Sequence, residues 1–118
     1  MITPVKFQSA NIIGFRMAGT ITEDEIKSWA TLLDQKSEAP QKLRVYVEAE
    51  DIDDISLDAL MADLKFDLTH LGDFEKAAFV SDETWTKLST FAAGLVPNIK
   101  AKQFSLDEKE AAKEWIES

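Results

Sequence analysis

The sequence contains no cysteine, so disulfides, thiolate-bound zinc and thiol nucleophiles are all excluded. It has a single histidine, His70, and four glycines that form no phosphate-cradling loop. No apolar run approaches the roughly 18 residues that a membrane-spanning helix requires. The opening residues, MITPVKFQSANIIGF, show neither a basic region followed by an apolar stretch nor a small-residue cleavage site. These absences point to a soluble, cytoplasmic protein. Basic residues are also scarce, 13 against 22 acidic ones for a net charge of −9, which argues against unaided binding to nucleic acid or an anionic membrane surface.

What is present is a chain of one-domain size, 118 residues with 45% apolar side chains, enough to bury a core without a stapling metal. Its organising stretch is 43–71. Leu43-Arg44-Val45-Tyr46-Val47 reads as a strand, and an acidic loop follows over Glu48–Ile55. A helix is expected from Ser56 to Leu71, where Leu57, Leu60, Met61, Leu64, Leu68 and Leu71 recur at three- and four-residue steps. Between Arg44 and Lys65 there is no basic side chain, whereas Glu48, Glu50, Asp51, Asp53, Asp54, Asp58 and Asp63 all fall there. Such a surface repels phosphate and attracts cations or basic proteins.

Val5–Gln8 and Asn11–Ala18 read as two strands of an antiparallel hairpin, with Ile13, Phe15 and Met17 on one face and Gly14, Arg16 and Ala18 on the other. Thr22 and Glu25 have capping-box spacing and open a helix to about Ser37, which carries Ile26, Trp29, Ala30 and Leu33 on one side. Pro40 bars that helix from continuing. Gly72-Asp73-Phe74 is read as a turn, Lys76–Val80 as a strand, and Ser81 or Asp82 as the cap of a helix bearing Trp85, Leu88, Phe91, Ala92 and Leu95. Ile99–Phe104 is a last strand, placed at a sheet edge by Lys100, Lys102 and Gln103. Ser105 and Glu108 form a second capping box before a helix with Ala111, Ala112, Trp115 and Ile116 facing inward.

The order is therefore ββαβαβαβα in one domain over residues 1–118. It predicts an α/β fold with a mixed, mostly parallel five-stranded sheet and four helices.

Several stretches together resemble a known family: the hairpin ending at Gly19 with the Thr22/Glu25 helix start, the strand LRVYVE with its acidic loop, the run Asp73–Trp85, and the closing Phe104, Glu108, Ala111, Ala112 and Trp115. Across essentially its whole length the chain resembles the SpoIIAA-like family of small bacterial domains, related in fold to STAS domains and more loosely to CRAL-TRIO lipid-binding domains. The resemblance implies a compact α/β fold, often dimeric, with no established catalytic role. It also implies a regulatory module that acts by binding a protein partner. In phospho-switched relatives the loop after the central strand reads Asp-Ser-Ser/Thr-Gly-Leu. Here Asp54-Ile55-Ser56-Leu57 keeps the acid and one serine and lacks the second hydroxyl and the glycine.

Two candidate surfaces emerge. Asp51, Asp53, Asp54, Ser56 and Asp58 form a partner-binding or switch surface, with phosphate on Ser56 favoured by a helix N-terminus but opposed by four neighbouring carboxylates. An N-cap is the simpler role for Ser56. Phe91, Leu95 and Val96, in an apolar run longer than one helix stripe needs, are candidates for an apolar (lipid-like) ligand or a homodimer contact; core packing accounts for the same residues. The acidic loop lacks the ligand order of a calcium loop, and neither a metal nor a cofactor is expected. His70 has no partner set for acid–base work, and no nucleophile-base pair appears, so no enzyme activity is expected.

Overall fold

The computed structural model describes residues 1–9, 11–25, 27, 28, 31, 42–51, 74–81 and 99–118. The helices expected over 56–71 and 82–95 lie outside them, as does most of the first helix after residue 28.

Five strands form one sheet in sequential order: β1 (Ile2–Val5), β2 (Ile12–Ala18), β3 (Leu43–Glu50), β4 (Phe74–Val80) and β5 (Lys100–Phe104). β1 and β2 are antiparallel, as the hairpin reading requires, and every later pair is parallel. A sheet of this kind must be covered on both sides in its middle strands. β3 shows it, since Leu43, Val45, Tyr46, Val47, Glu48 and Ala49 are all buried. β5 takes the edge that its lysines predicted.

Strand alternation divides the core into two faces. One carries Ile13, Phe15, Met17, Val45, Val47, Ala49, Ala77 and Phe79, all buried and all apolar. The other carries Ile12, Tyr46, Ala78, Val80 and Phe104, packed with Ala112 and Ile116 of a C-terminal helix (Lys109–Glu117). A single 3-10 turn, Leu106–Glu108, leads into that helix. Ser105 N–H donates to Glu108 Oε1 at 3.0 Å, the returning half of the expected capping box, while Glu108 N–H donates to the Ser105 carbonyl at 2.9 Å as the first bond of the turn. At the other end, Arg44 Nη1 donates to the Ile116 carbonyl (2.7 Å) and Lys76 Nζ to that of Trp115 (3.3 Å). These cations satisfy carbonyls that a helix end leaves unpaired and oppose its dipole. Trp115 is partly buried, its ring centroid 6.0 Å from that of Phe104. Ala111, expected to face inward, is exposed.

Several strand boundaries differ from expectation. β1 is Ile2–Val5 rather than Val5–Gln8. Pro4 disguises it, yet a proline is tolerated on an edge strand because no outer neighbour needs its N–H. Phe7 is thereby freed from the ladder and lies over Gly14. A Cβ on Gly14 would come within 2.5 Å of the Val5 carbonyl oxygen and 2.6 Å of the Phe7 ring, so only glycine fits. The Phe7 ring then meets Tyr46 edge-on at 5.3 Å. Phe74, read as part of a turn, is the buried first residue of β4.

After β2 the chain turns at Gly19 (φ +66°), and residues 23–25, 27, 28 and 31 are helical. Glu25 N–H donates to Thr22 Oγ1 (3.2 Å) and Thr22 N–H to Glu25 Oε1 (3.4 Å), completing the expected capping box. Glu25 Oε2 also accepts the Ile2 N–H at 2.6 Å, which ties the edge strand to the helix start. That hydrogen bond is the main reason the Glu25 carboxyl lies below its usual range.

Candidate functional site

The acidic stretch that follows Val47 is divided in two by the sheet. β3 runs on through Glu50, so Glu48 is a strand residue and not part of a loop. Alternation turns Tyr46, Glu48 and Glu50 to the face that carries the C-terminal helix. That helix begins at Lys109, above Glu48.

Glu48 is 5% exposed. A carboxylate so enclosed is stable only if its oxygens are bonded. Tyr46 Oη donates to Oε1 at 2.6 Å, and the half-exposed Lys109 ammonium stands 3.6 Å from Oε2. Burial first, and then the bond to Glu48, push the Tyr46 phenol well above its ordinary value, so it stays a donor throughout the working pH range. Tyr46, Glu48 and Lys109 thus pin the start of the helix to the central strand. Sequence reasoning missed this trio; the signal was the two-residue spacing of Tyr46, Glu48 and Glu50 within a strand.

Beyond Glu48 the acids are presented. Glu50 meets the exposed Arg16 at 3.2 Å, a surface pair of small energetic consequence. Asp51, the one residue of the expected switch surface that the structure describes, is exposed with φ +51°. Aspartate tolerates this left-handed conformation better than most side chains. Its carbonyl accepts the Gly19 N–H at 3.2 Å, which joins the ends of β2 and β3. Glu23 and Asp24, at the helix start that follows Gly19, are exposed as well. The carboxyl ends of β2 and β3 therefore carry an anionic rim, at the end of the sheet where open α/β domains bind their ligands.

Asp53, Asp54, Ser56 and Asp58 lie outside the described residues, as do Phe91, Leu95, Val96 and His70. Among the described residues no group of three His, Asp or Glu side chains could hold a metal ion, and no helix is long and apolar enough to cross a membrane.

Among proteins of curated function, none matches this sequence. Among solved structures, the fold is similar to that of an uncharacterized protein from the DUF3478 family with a SpoIIAA-like fold, from Shewanella loihica PV-4. The two superpose with a TM-score of 0.64 at 18% identity, over 98% of this chain and 92% of that one. At that identity the likeness speaks for the fold alone. The family model described as SpoIIAA-like aligns with residues 12–117, from the first residue of β2 to the last of the C-terminal helix. With nearly the whole sheet and its covering helix inside the match, the chain belongs to the SpoIIAA-like family.

Proposed function

We propose that this domain is a non-catalytic regulatory module of the cytoplasm, and that it binds a protein partner through the anionic rim at the carboxyl ends of β2 and β3. The observation that carries the reading is the exposed Asp51, fixed in a left-handed turn by the Gly19 N–H at the tip of the central strand. A charge on a backbone held in this way loses little freedom when it meets a cation, and pre-organisation of that kind favours binding. Glu50, Glu23 and Asp24 extend the same charge, and the sequence continues it through Asp53, Asp54 and Asp58. The partner is then a protein with a basic contact surface. Affinity capture from the native cells tests this, with wild type compared against Asp51→Lys, Ser56→Ala and Ser56→Asp. The reading expects Asp51→Lys to lose the partner while keeping the native circular-dichroism spectrum. The same proteins captured at the same yield by wild type and Asp51→Lys would overturn it.

A second reading, a carrier of a small apolar ligand, rests on a half-open cleft of about 270 Å³ lined by Pro4, Val5, Phe7, Ile12 and Gly14 with Lys6 at its side. It is small for such a role. Native mass spectrometry of protein from its own cells would show a retained ligand mass, absent after Phe7→Ala; a bare chain mass would end this reading.

A further inference from the structure

Like charges set side by side on neighbouring strands repel. On the face that carries the C-terminal helix, Arg44 is the register partner of Lys76, and Lys76 that of Lys100. Three cations therefore stand in one row across β3, β4 and β5 of a chain whose net charge is −9. Lys102 follows on the same face of β5. The crowding is felt at Lys76, whose ammonium is pushed below its usual range by burial and then by Arg44 and Lys100.

Two of these charges have local employment. Arg44 Nε donates to Glu75 Oε1 at 2.6 Å, and Arg44 and Lys76 together hold the carbonyls at the helix end. Lys76 also lies over the Trp115 ring at 5.1 Å. Lys100 has none: it is exposed, and among the described residues its ammonium makes no ion pair or hydrogen bond. Lys102 is exposed and lies 5.1 Å from the Phe104 ring. Both project from the last strand of the sheet, whose outer side pairs with no described residue. An open edge is a row of backbone donors and acceptors awaiting a strand.

We infer that β5 is a second docking edge, and that it takes an acidic, extended segment of a partner protein as an added strand. Carboxylates two residues apart on the incoming strand fall on one face and meet Lys100 and Lys102, while the two backbones complete the ladder. The charge row makes the choice of sign, because a basic strand would stand beside Lys100 and Lys102 at the distance of neighbouring strands. This edge lies apart from the anionic rim, selects the opposite charge, and does not depend on the function proposed for that rim.

The test titrates the 15N-labelled full chain with an octapeptide of alternating Thr and Glu, its Thr/Lys counterpart, and a Thr/Glu peptide interrupted by proline. The expected result is saturable shifts of the Ala101–Gln103 amides with the Thr/Glu peptide. Both the proline-interrupted peptide and the Lys100→Glu/Lys102→Glu chain should bind at least about tenfold more weakly. Both lysines are exposed, so the double variant is expected to fold; Lys100→Ala, which adds no new charge, should show an intermediate loss. No shift in β5 up to about 1 mM peptide, or equal shifts with the Thr/Lys peptide, would overturn the inference and leave the lysines as guards against edge pairing.

Discussion

Glu48 and Glu50 stand two residues apart on the same face of the same strand, yet they have opposite roles. Glu48 lies under the start of the C-terminal helix, bonded to Tyr46 and facing Lys109. Glu50 lies past the helix and, among the described residues, pairs with the exposed Arg16. The boundary between buried and presented acid is set by where the helix begins and not by any change in the sequence of β3. One acidic run thus supplies a structural carboxylate and an exposed anionic rim.

The two glutamates lose their difference most completely if the helix cover is loosened. Ile116 is fully buried between helix and sheet. Ile116→Ala should cost about 3 kcal/mol, read from urea denaturation. It should also raise hydrogen exchange of the Tyr46 and Glu48 amides more than that of Ala49 and Glu50. A uniform rise along β3 would show that the helix does not mark the boundary.

Tyr46→Phe keeps the ring and removes the donor, leaving Lys109 as the partner of Glu48 among the described residues; about 2 kcal/mol should be lost at neutral pH. A pH effect accompanies it. The native phenol holds its proton more tightly than the unfolded one, so this part of the stability is complete below the unfolded value of about 10 and declines as the pH rises above it. Alkaline denaturation of the wild type should therefore be steeper than that of Tyr46→Phe, and equal slopes would contradict the buried pair.

On the acid side the capping carboxylates act in the opposite sense. Glu25 is held below its ordinary value chiefly by the Ile2 N–H, and Glu108 chiefly by the Ser105 N–H. Their contribution is present above the unfolded value of about 4.3 and is lost as the pH falls through the folded one. Glu25→Gln and Glu108→Gln should flatten the acid limb of a stability–pH curve while leaving the alkaline limb unchanged. The smallest effect belongs to the presented side, where Arg16→Ala should change stability by no more than about 0.5 kcal/mol. A larger loss would mean that the Arg16–Glu50 pair supports the fold.

Much of the architecture was legible because it depends on local chemistry. The two capping boxes, the opening hairpin, the edge placement of β5 and the parallel core each follow from residue types at fixed spacing. The errors arose where a distant contact overrode a local cue. The residue pattern places the first strand over Val5–Gln8, whereas it runs over Ile2–Val5, where an edge position accommodates Pro4. Phe7 looked like a strand residue until Gly14 provided space for its ring. Glu48 looked like the start of a polar loop because its partner Lys109 lies 61 positions later in the chain. Asp51 was legible as an exposed acid, but the Gly19 bond that fixes it was not.

Urea denaturation of Glu48→Ala beside Glu50→Ala tests the division of the acidic run most directly. Removal of Glu48 leaves the buried Tyr46 hydroxyl without an acceptor and should cost about 2 kcal/mol, whereas removal of Glu50 should cost no more than about 0.5 kcal/mol. Equal losses, or a larger loss at Glu50, would contradict the account.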